Sequence, residues 1–323
     1  MSVSKVESHS LIDKAITKLL REDGNELDAF LTKVSTENKL LGTQANIHCF
    51  AISHDGLDRP RVNDLAQEVA VRMLDYAIPR SEILRAQELD RQKNTTKEVS
   101  KLKMKARSLF TSLKNTGEGG EMLLYLLTQS QLRLPQLLCK MSLKTSSEMH
   151  FHGADGIHVG FDKEKQKIAL YWGESKLNQS IDDAISNCLD SIKPFLCDEG
   201  GSSSAERRDL QLITGNLDLC DEALENALLR YLDPSDPLFN KMQYRETCLI
   251  GFDSDSYPGL PNTKTHEEVV KEVEASIENW HKKVQRRIKN RTPLDLIILE
   301  IFMLPFPSVE KFREVFLGEL QYV

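Results

Sequence analysis

The sequence predicts an α/β fold in which a mixed central sheet is flanked by helices. Three observations carry that expectation. Helical and strand-type apolar patterns alternate along most of the 323 residues. Three strand-type segments follow one another between Gln136 and Leu177, with helical patterns on either side. Hydrophobic residues make up 40% of the chain, enough to bury a core at this length and to exclude a largely disordered or fibrous protein. At roughly 150 residues per domain, the length fits two domains or one elaborated domain.

Taken in order, the first forty residues read as helical, with Leu11, Ile12, Ile16, Leu19 and Leu20 recurring at helical spacing. Ala45–Ser53 reads as a strand ending in the turn-like His54-Asp55-Gly56. Val62–Tyr76 carries Leu65, Val69 and Met73 on one face, a helix stopped by Pro79. A basic helix follows, with Val99, Leu102, Ala106, Leu109 and Leu113 as its apolar stripe. Gly117–Gly120 ends it, and Glu121–Leu132 is too apolar for a surface helix.

Gln136–Lys144, His152–Phe161 and Lys167–Leu177 are the three strand-type segments, and Ile181–Phe195 is the helix after them. Cys197–Ala205 has the composition of a mobile linker. Helix Asp218–Tyr231, strand Tyr244–Phe252, helix Thr265–Lys289, strand Leu294–Leu304 and helix Val309–Leu320 complete the alternation. Thr265-x-x-Glu268 is a capping box. Residues 1–115 are expected to form an N-terminal α/β region with the basic helix and a default role in partner docking. Residues 116–323 are expected to form the chemical core with a C-terminal α/β extension.

Composition bounds the function. The formal charge of −7 argues against tight, stand-alone DNA binding, which runs on excess Lys and Arg. That charge is an average. Residues 91–114 hold eight basic side chains against Glu98 alone, a local +7 that leaves −14 on the rest. Lys97, Lys101 and Lys105 stand one turn apart there, as DNA contacts or as the wet face of an ordinary helix. A second basic run, Lys282 to Arg291, ends a helix that begins acidic and so matches the helix dipole. No run reaches the ~18–20 apolar residues of a membrane helix, and the N-terminus lacks the apolar stretch of a signal peptide. Six scattered cysteines without a CxxC pair fit free thiols in a reducing cytosol. The expected location is cytoplasmic, with no membrane partner.

The densest polar signal in apolar surroundings lies in the three strands. In YWGESKL, Trp172, Glu174 and Lys176 alternate onto one strand face. A turn over Asp162–Lys167 sets Asp155 of GADGIHVGF directly across from Glu174, about 5 Å apart at Cβ. Facing carboxylates repel unless a cation joins them. A hard ion such as Mg²⁺ resolves the repulsion, since it takes one or two carboxylates plus water and phosphate oxygens. Lys176 would then orient or deprotonate the attacking water and offset charge on a pentacoordinate phosphate. Glu121, in the first turn of the preceding helix, supplies a further acid, with Glu118 as its competitor. The set suits metal-assisted phosphodiester hydrolysis. A structural ion pair at a sheet edge accounts for the same residues without chemistry.

GEGGEMLLYLL, KMSLKTSSEMHFHGADGIHV and LYWGESKL resemble the HamA family, the nuclease subunit of the Hachiman anti-phage defence system, within the PD-(D/E)xK nuclease superfamily. The close match runs over about Gly117–Leu177. The resemblance implies a restriction-endonuclease-like core acting on DNA with Mg²⁺ or Mn²⁺ and leaving 5′-phosphate ends. It assigns metal binding to Asp155, Glu174 and Glu121 and the motif lysine to Lys176. The superfamily's proline before the aspartate is Ala154 here, which weakens the short motif without removing a ligand. It also implies a large helicase partner, HamB, that senses foreign or damaged DNA and holds the nuclease quiet until triggered.

The residues also admit other readings. A regulatory subunit could keep the nuclease fold and mainly bind the helicase. A zinc hydrolase could use His150, His152 and His158, although no nearby cysteine completes a four-ligand set. No Gly-x-Ser-x-Gly supports a serine hydrolase, and Gly117-x-Gly119-Gly120 lacks the Lys-Ser/Thr of a phosphate-binding loop. Lys144 reads as a solvated lysine or a phosphate contact.

Overall fold

A computed structural model describes residues 12–13, 16–21, 24, 27–34, 39–110, 117–144, 154–196, 204–259 and 263–322. The expectations for Leu11, for Leu113 and Lys114, for His150 and His152 and for most of the 197–205 linker lie outside the described residues. Strands β1 (Leu31–Lys33), β2 (Ala45–Ile52), β3 (Gln136–Leu138), β4 (Gly156–Asp162), β5 (Lys167–Asn178), β6 (Met242–Asp253) and β7 (Leu299–Phe306) form one sheet. Their spatial order is β1-β2-β7-β6-β5-β4-β3. The central strands β2, β7, β6 and β5 run parallel, and antiparallel pairs close both edges. The sheet is therefore mixed and flanked by helices, as expected. Residues on both sides of position 115 share it, because β2 pairs with β7.

The helices are α1 (Val62–Val71), α2 (Met73–Ala77), α3 (Arg80–Lys93), α4 (Lys97–Leu109), α5 (Glu118–Leu132), α6 (Ile181–Leu196), α7 (Ala205–Asn216), α8 (Glu222–Leu232), α9 (His266–Lys289) and α10 (Val309–Glu319). The capping box of α9 is complete: the Thr265 hydroxyl accepts from the Glu268 N–H, and the Glu268 carboxylate accepts from the Thr265 N–H. α8 starts later than expected because Asp221 caps it, accepting from the Leu224 N–H at 3.0 Å.

Several elements differ from expectation for local reasons. The helix over Val62–Tyr76 breaks at Arg72, whose N–H turns back to the Val69 carbonyl. The basic stretch is two helices: Asn94 closes α3 in the left-handed region (φ 49°), and buried Asp90 caps α4 by accepting from the Glu98 and Val99 N–H groups, each at 2.9 Å. The strand expected over Gln136–Lys144 stops at Leu138 and becomes a 3₁₀ turn, Lys140–Leu143, as Lys140 turns inward. Helices α3 and α7 were not expected, and β1 overturns the helix expected over the first forty residues, because Leu31–Lys33 pairs with the edge of β2.

Two hydrophobic clusters fill the protein. The larger spans both faces of β2, β6 and β7 under α1, α5, α6, α9 and α10 and includes Leu177. The smaller gathers Ile157, Ile168, Leu170 and Trp172 with α7 and α8. Strand β5 passes from one cluster to the other, and Glu174, Ser175 and Lys176 lie between Trp172 and Leu177. No helix among the described residues is long and apolar enough to cross a membrane.

Candidate active site

Strand pairing brings the expected residues together. Gly156 pairs with Gly173, and the register runs unbroken to Asp162 and Lys167. Asp155 is the next residue outward, across from Glu174, and its N–H donates to the Gly173 carbonyl at 2.7 Å. Along β5, alternation sends Trp172, Glu174 and Lys176 to one face and Gly173, Ser175 and Leu177 to the other. Helix α5 packs closely on the second face. A Cβ at Gly120 would stand 3.1 Å from Leu177 Cγ and 3.2 Å from Ser175 Oγ, so a small residue lets the first turn of α5 approach β5.

The side chains interlock. Asp155 Oδ2 accepts from the Ser175 N–H at 2.8 Å and from Ser175 Oγ at 2.9 Å. The Lys176 ammonium donates to Glu174 Oε1. The Tyr76 hydroxyl donates to Glu121 Oε2 at 3.2 Å and lies 3.5 Å from the Asp155 carbonyl oxygen. Glu118 is instead held by Lys144 at 2.9 Å, with both side chains largely buried. Lys144 is thus a buried ion-pair partner and not a solvated lysine.

Burial and repulsion dominate the electrostatics. Burial first, then the charges of Asp155 and Glu118, hold Glu121 well above the usual carboxylate range. Burial and then Asp155 push Glu174 up to about 7. Burial also raises Asp155, although Lys176, Ser175 and Lys140 pull it down. Burial opposes the Lys176 charge, but Glu174 and Asp155 outweigh it and raise the ammonium. Mutually repelling oxygen donors of this kind fit a hard divalent cation. Among the described residues, no three His, Cys, Asp or Glu side chains close a metal cage by themselves. Mg²⁺ chemistry needs only one or two carboxylates when water and phosphate supply the remaining oxygens.

Three features around this constellation escaped the sequence reading. Lys140 donates to the Ala154 carbonyl at 2.7 Å and to both oxygens of Asp209 on α7 at 3.1 Å. The indole of Trp172 donates to Asp209 Oδ2 at 3.1 Å. This buried network ties the residue before Asp155 to the strand that carries Glu174. Glu246 on β6 pairs in register with Trp172 and shares the face of Glu174. It is fully buried, and neither carboxylate oxygen has a hydrogen-bond partner among the described residues. Burial first, then Glu174, holds it well above the usual range. A lone acid at an inward position of strand RETCLI was the available signal. The third feature is Tyr76, whose hydroxyl was hidden in an apolar helical stripe.

The basic segments have partners. On α4, Lys101 pairs with Glu98, and Lys105 pairs with Glu82 of α3, while Lys97 is exposed. On α9, Lys283 and Arg287 bind Asp182 of α6, and Arg291, just past the end of α9, binds Asp190 of α6, so that run docks one helix on another. His158 is buried, its Nδ1–H donating to the Leu134 carbonyl at 2.9 Å. The described cysteines, Cys49, Cys139, Cys188, Cys220 and Cys248, are free thiols.

The fold and site define a mixed α/β protein with a buried acid–lysine constellation at the junction of its antiparallel and parallel strands. A family model for HamA matches residues 28–320, and the chain belongs to the HamA family. That membership fits a component of Hachiman anti-phage defence. No curated protein matches the chain.

Proposed function

We propose that this chain is a metal-dependent deoxyribonuclease of the PD-(D/E)xK type, the effector subunit of a Hachiman-type complex in the cytoplasm. The observation that carries the reading is the facing of Asp155 and Glu174 with Lys176 on the same strand face. Asp155 and Glu174, with Glu121 directly or through water, would hold Mg²⁺ or Mn²⁺. The bound ion would supply Lewis acidity toward the scissile phosphate. Ser175 fixes Asp155 through two hydrogen bonds. Lys176, kept charged by its neighbours, orients the attacking water and offsets charge on the phosphate. The proton of that water passes to solvent.

A large helicase of the HamB type would hold the nuclease quiet and release it onto DNA. The chain's negative balance outside its basic segment supports delivery by a partner over independent capture. A second reading, a catalytically silent subunit that mainly binds the helicase, draws on the Glu174–Lys176 pair, which already neutralises one motif acid. Plasmid incubated with the protein, alone and with its co-expressed helicase, in Mg²⁺ or EDTA tests the proposal. Degradation in Mg²⁺ and none in EDTA is expected. No degradation in any arm favours the silent subunit.

A further inference from the structure

Tyr76 lies in the N-terminal part of the chain, far in sequence from every acid of the candidate site. It is 3% exposed, and its hydroxyl stands between two of the elements that build the site. The hydroxyl donates to Glu121 Oε2 at 3.2 Å and lies 3.5 Å from the Asp155 carbonyl oxygen. The ring is packed against two others, and the backbone of the residue is held as well. It meets Tyr125 of α5 edge-on at 5.4 Å and Phe110 at 6.4 Å, and its own carbonyl accepts from the Cys139 thiol at 3.2 Å.

We propose that Tyr76 is a positioning residue that sets the cation affinity of the site by orienting the Glu121 carboxylate toward Asp155. This rests on the metal-site reading above and deepens it. Glu121 leaves the first turn of α5 on a flexible side chain. A fixed O–H donor removes part of that freedom before any ion arrives, which is how outer hydrogen-bond partners tune metal ligands. Packing alone does not call for the hydroxyl, since phenylalanine would fill the same space between Tyr125 and Phe110. α2 also lies in the region expected to dock a partner, so movement of α2 would reach Glu121 through this one bond.

The test uses the full chain and Mn²⁺ as probe, with free ion followed by electron paramagnetic resonance. Tyr76→Phe should weaken Mn²⁺ binding about 10–100-fold, raise the Mn²⁺ needed for half-maximal plasmid degradation in parallel, and change the rate at saturating Mn²⁺ much less. In a Glu121→Gln background, Tyr76→Phe should add nothing to the loss. Wild-type Mn²⁺ affinity in Tyr76→Phe, with binding lost in Asp155→Asn, would overturn the role of Tyr76 and leave the metal site standing. A wild-type chain that binds no Mn²⁺ would overturn both. If Tyr76→Phe fails to fold, the wild type labelled with 3-fluorotyrosine replaces it. Mg²⁺ must then shift at least one fluorine resonance among the seven tyrosines, and no shift overturns the proposal.

Discussion

Lys140 and Asp209 meet at 3.1 Å with 8% and 1% of their side chains exposed, and the same ammonium holds the carbonyl before Asp155. One buried ion pair therefore fixes the backbone on which a candidate ligand stands. Removing one partner of such a pair strands the other charge. Lys140→Met should destabilise the chain by about 3–5 kcal/mol, read by denaturant unfolding. Lys140→Met with Asp209→Leu should recover most of that loss. A double variant no better than the single would show that the pair matters for more than mutual neutralisation.

His158 gives a pH signature. Burial lowers its folded value to about 4 from 6.5. The unfolded chain takes up a proton near pH 6.5, whereas the folded chain resists until about pH 4. Stability from this residue is full above pH 6.5 and is lost as pH falls from 6.5 to about 4. Melting temperatures of wild type and His158→Gln, compared between pH 7.5 and 5, should converge or cross at the lower pH. Parallel curves would contradict the burial argument.

Glu246 has the opposite sign. Its raised folded value means that the unfolded chain ionises first as pH rises past the ordinary carboxylate range, so neutral pH costs stability. Glu246→Gln, measured in EDTA, should raise stability at pH 8 by about 1–2 kcal/mol and gain less at pH 5. A loss at pH 8 would show that the carboxylate makes an ion contact in solution.

Arg287 and Lys283 bind Asp182 across the α6–α9 contact at 2.5 and 2.6 Å. Arg287→Ala should cost no more than about 1 kcal/mol, as for partly exposed pairs, and leave the salt dependence of plasmid degradation unchanged. A flatter salt dependence would mean that α9 also contacts phosphate.

The hairpin that aligns Asp155 with Glu174 was legible because period-two apolar patterning flanks a short polar turn, and that fixes register. Helix α9 was legible from its cap and charge gradient. Asp209 was not, since α7 is polar and follows a Ser-rich stretch, so nothing local marks one of its acids as buried. Lys140 sat in a strand-like run, and only the distant Asp209 and the Ala154 carbonyl explain its turn inward. The partners of the basic runs were hidden for a related reason: Glu82, Asp182 and Asp190 lie outside those runs in sequence. Local pattern carried elements and register, whereas long-range polar pairs required the fold.

Metal-dependent DNA cleavage is proposed to rest on Asp155, Glu174 and Lys176. The most direct measurement is plasmid degradation in Mg²⁺ by wild type, Glu174→Ala and Lys176→Ala, each purified with the helicase and checked for retained fold and complex. Wild type should degrade the plasmid, EDTA should stop it, and both variants should lose cleavage by at least about 100-fold while the complex persists. Full cutting by both folded variants would contradict the proposal.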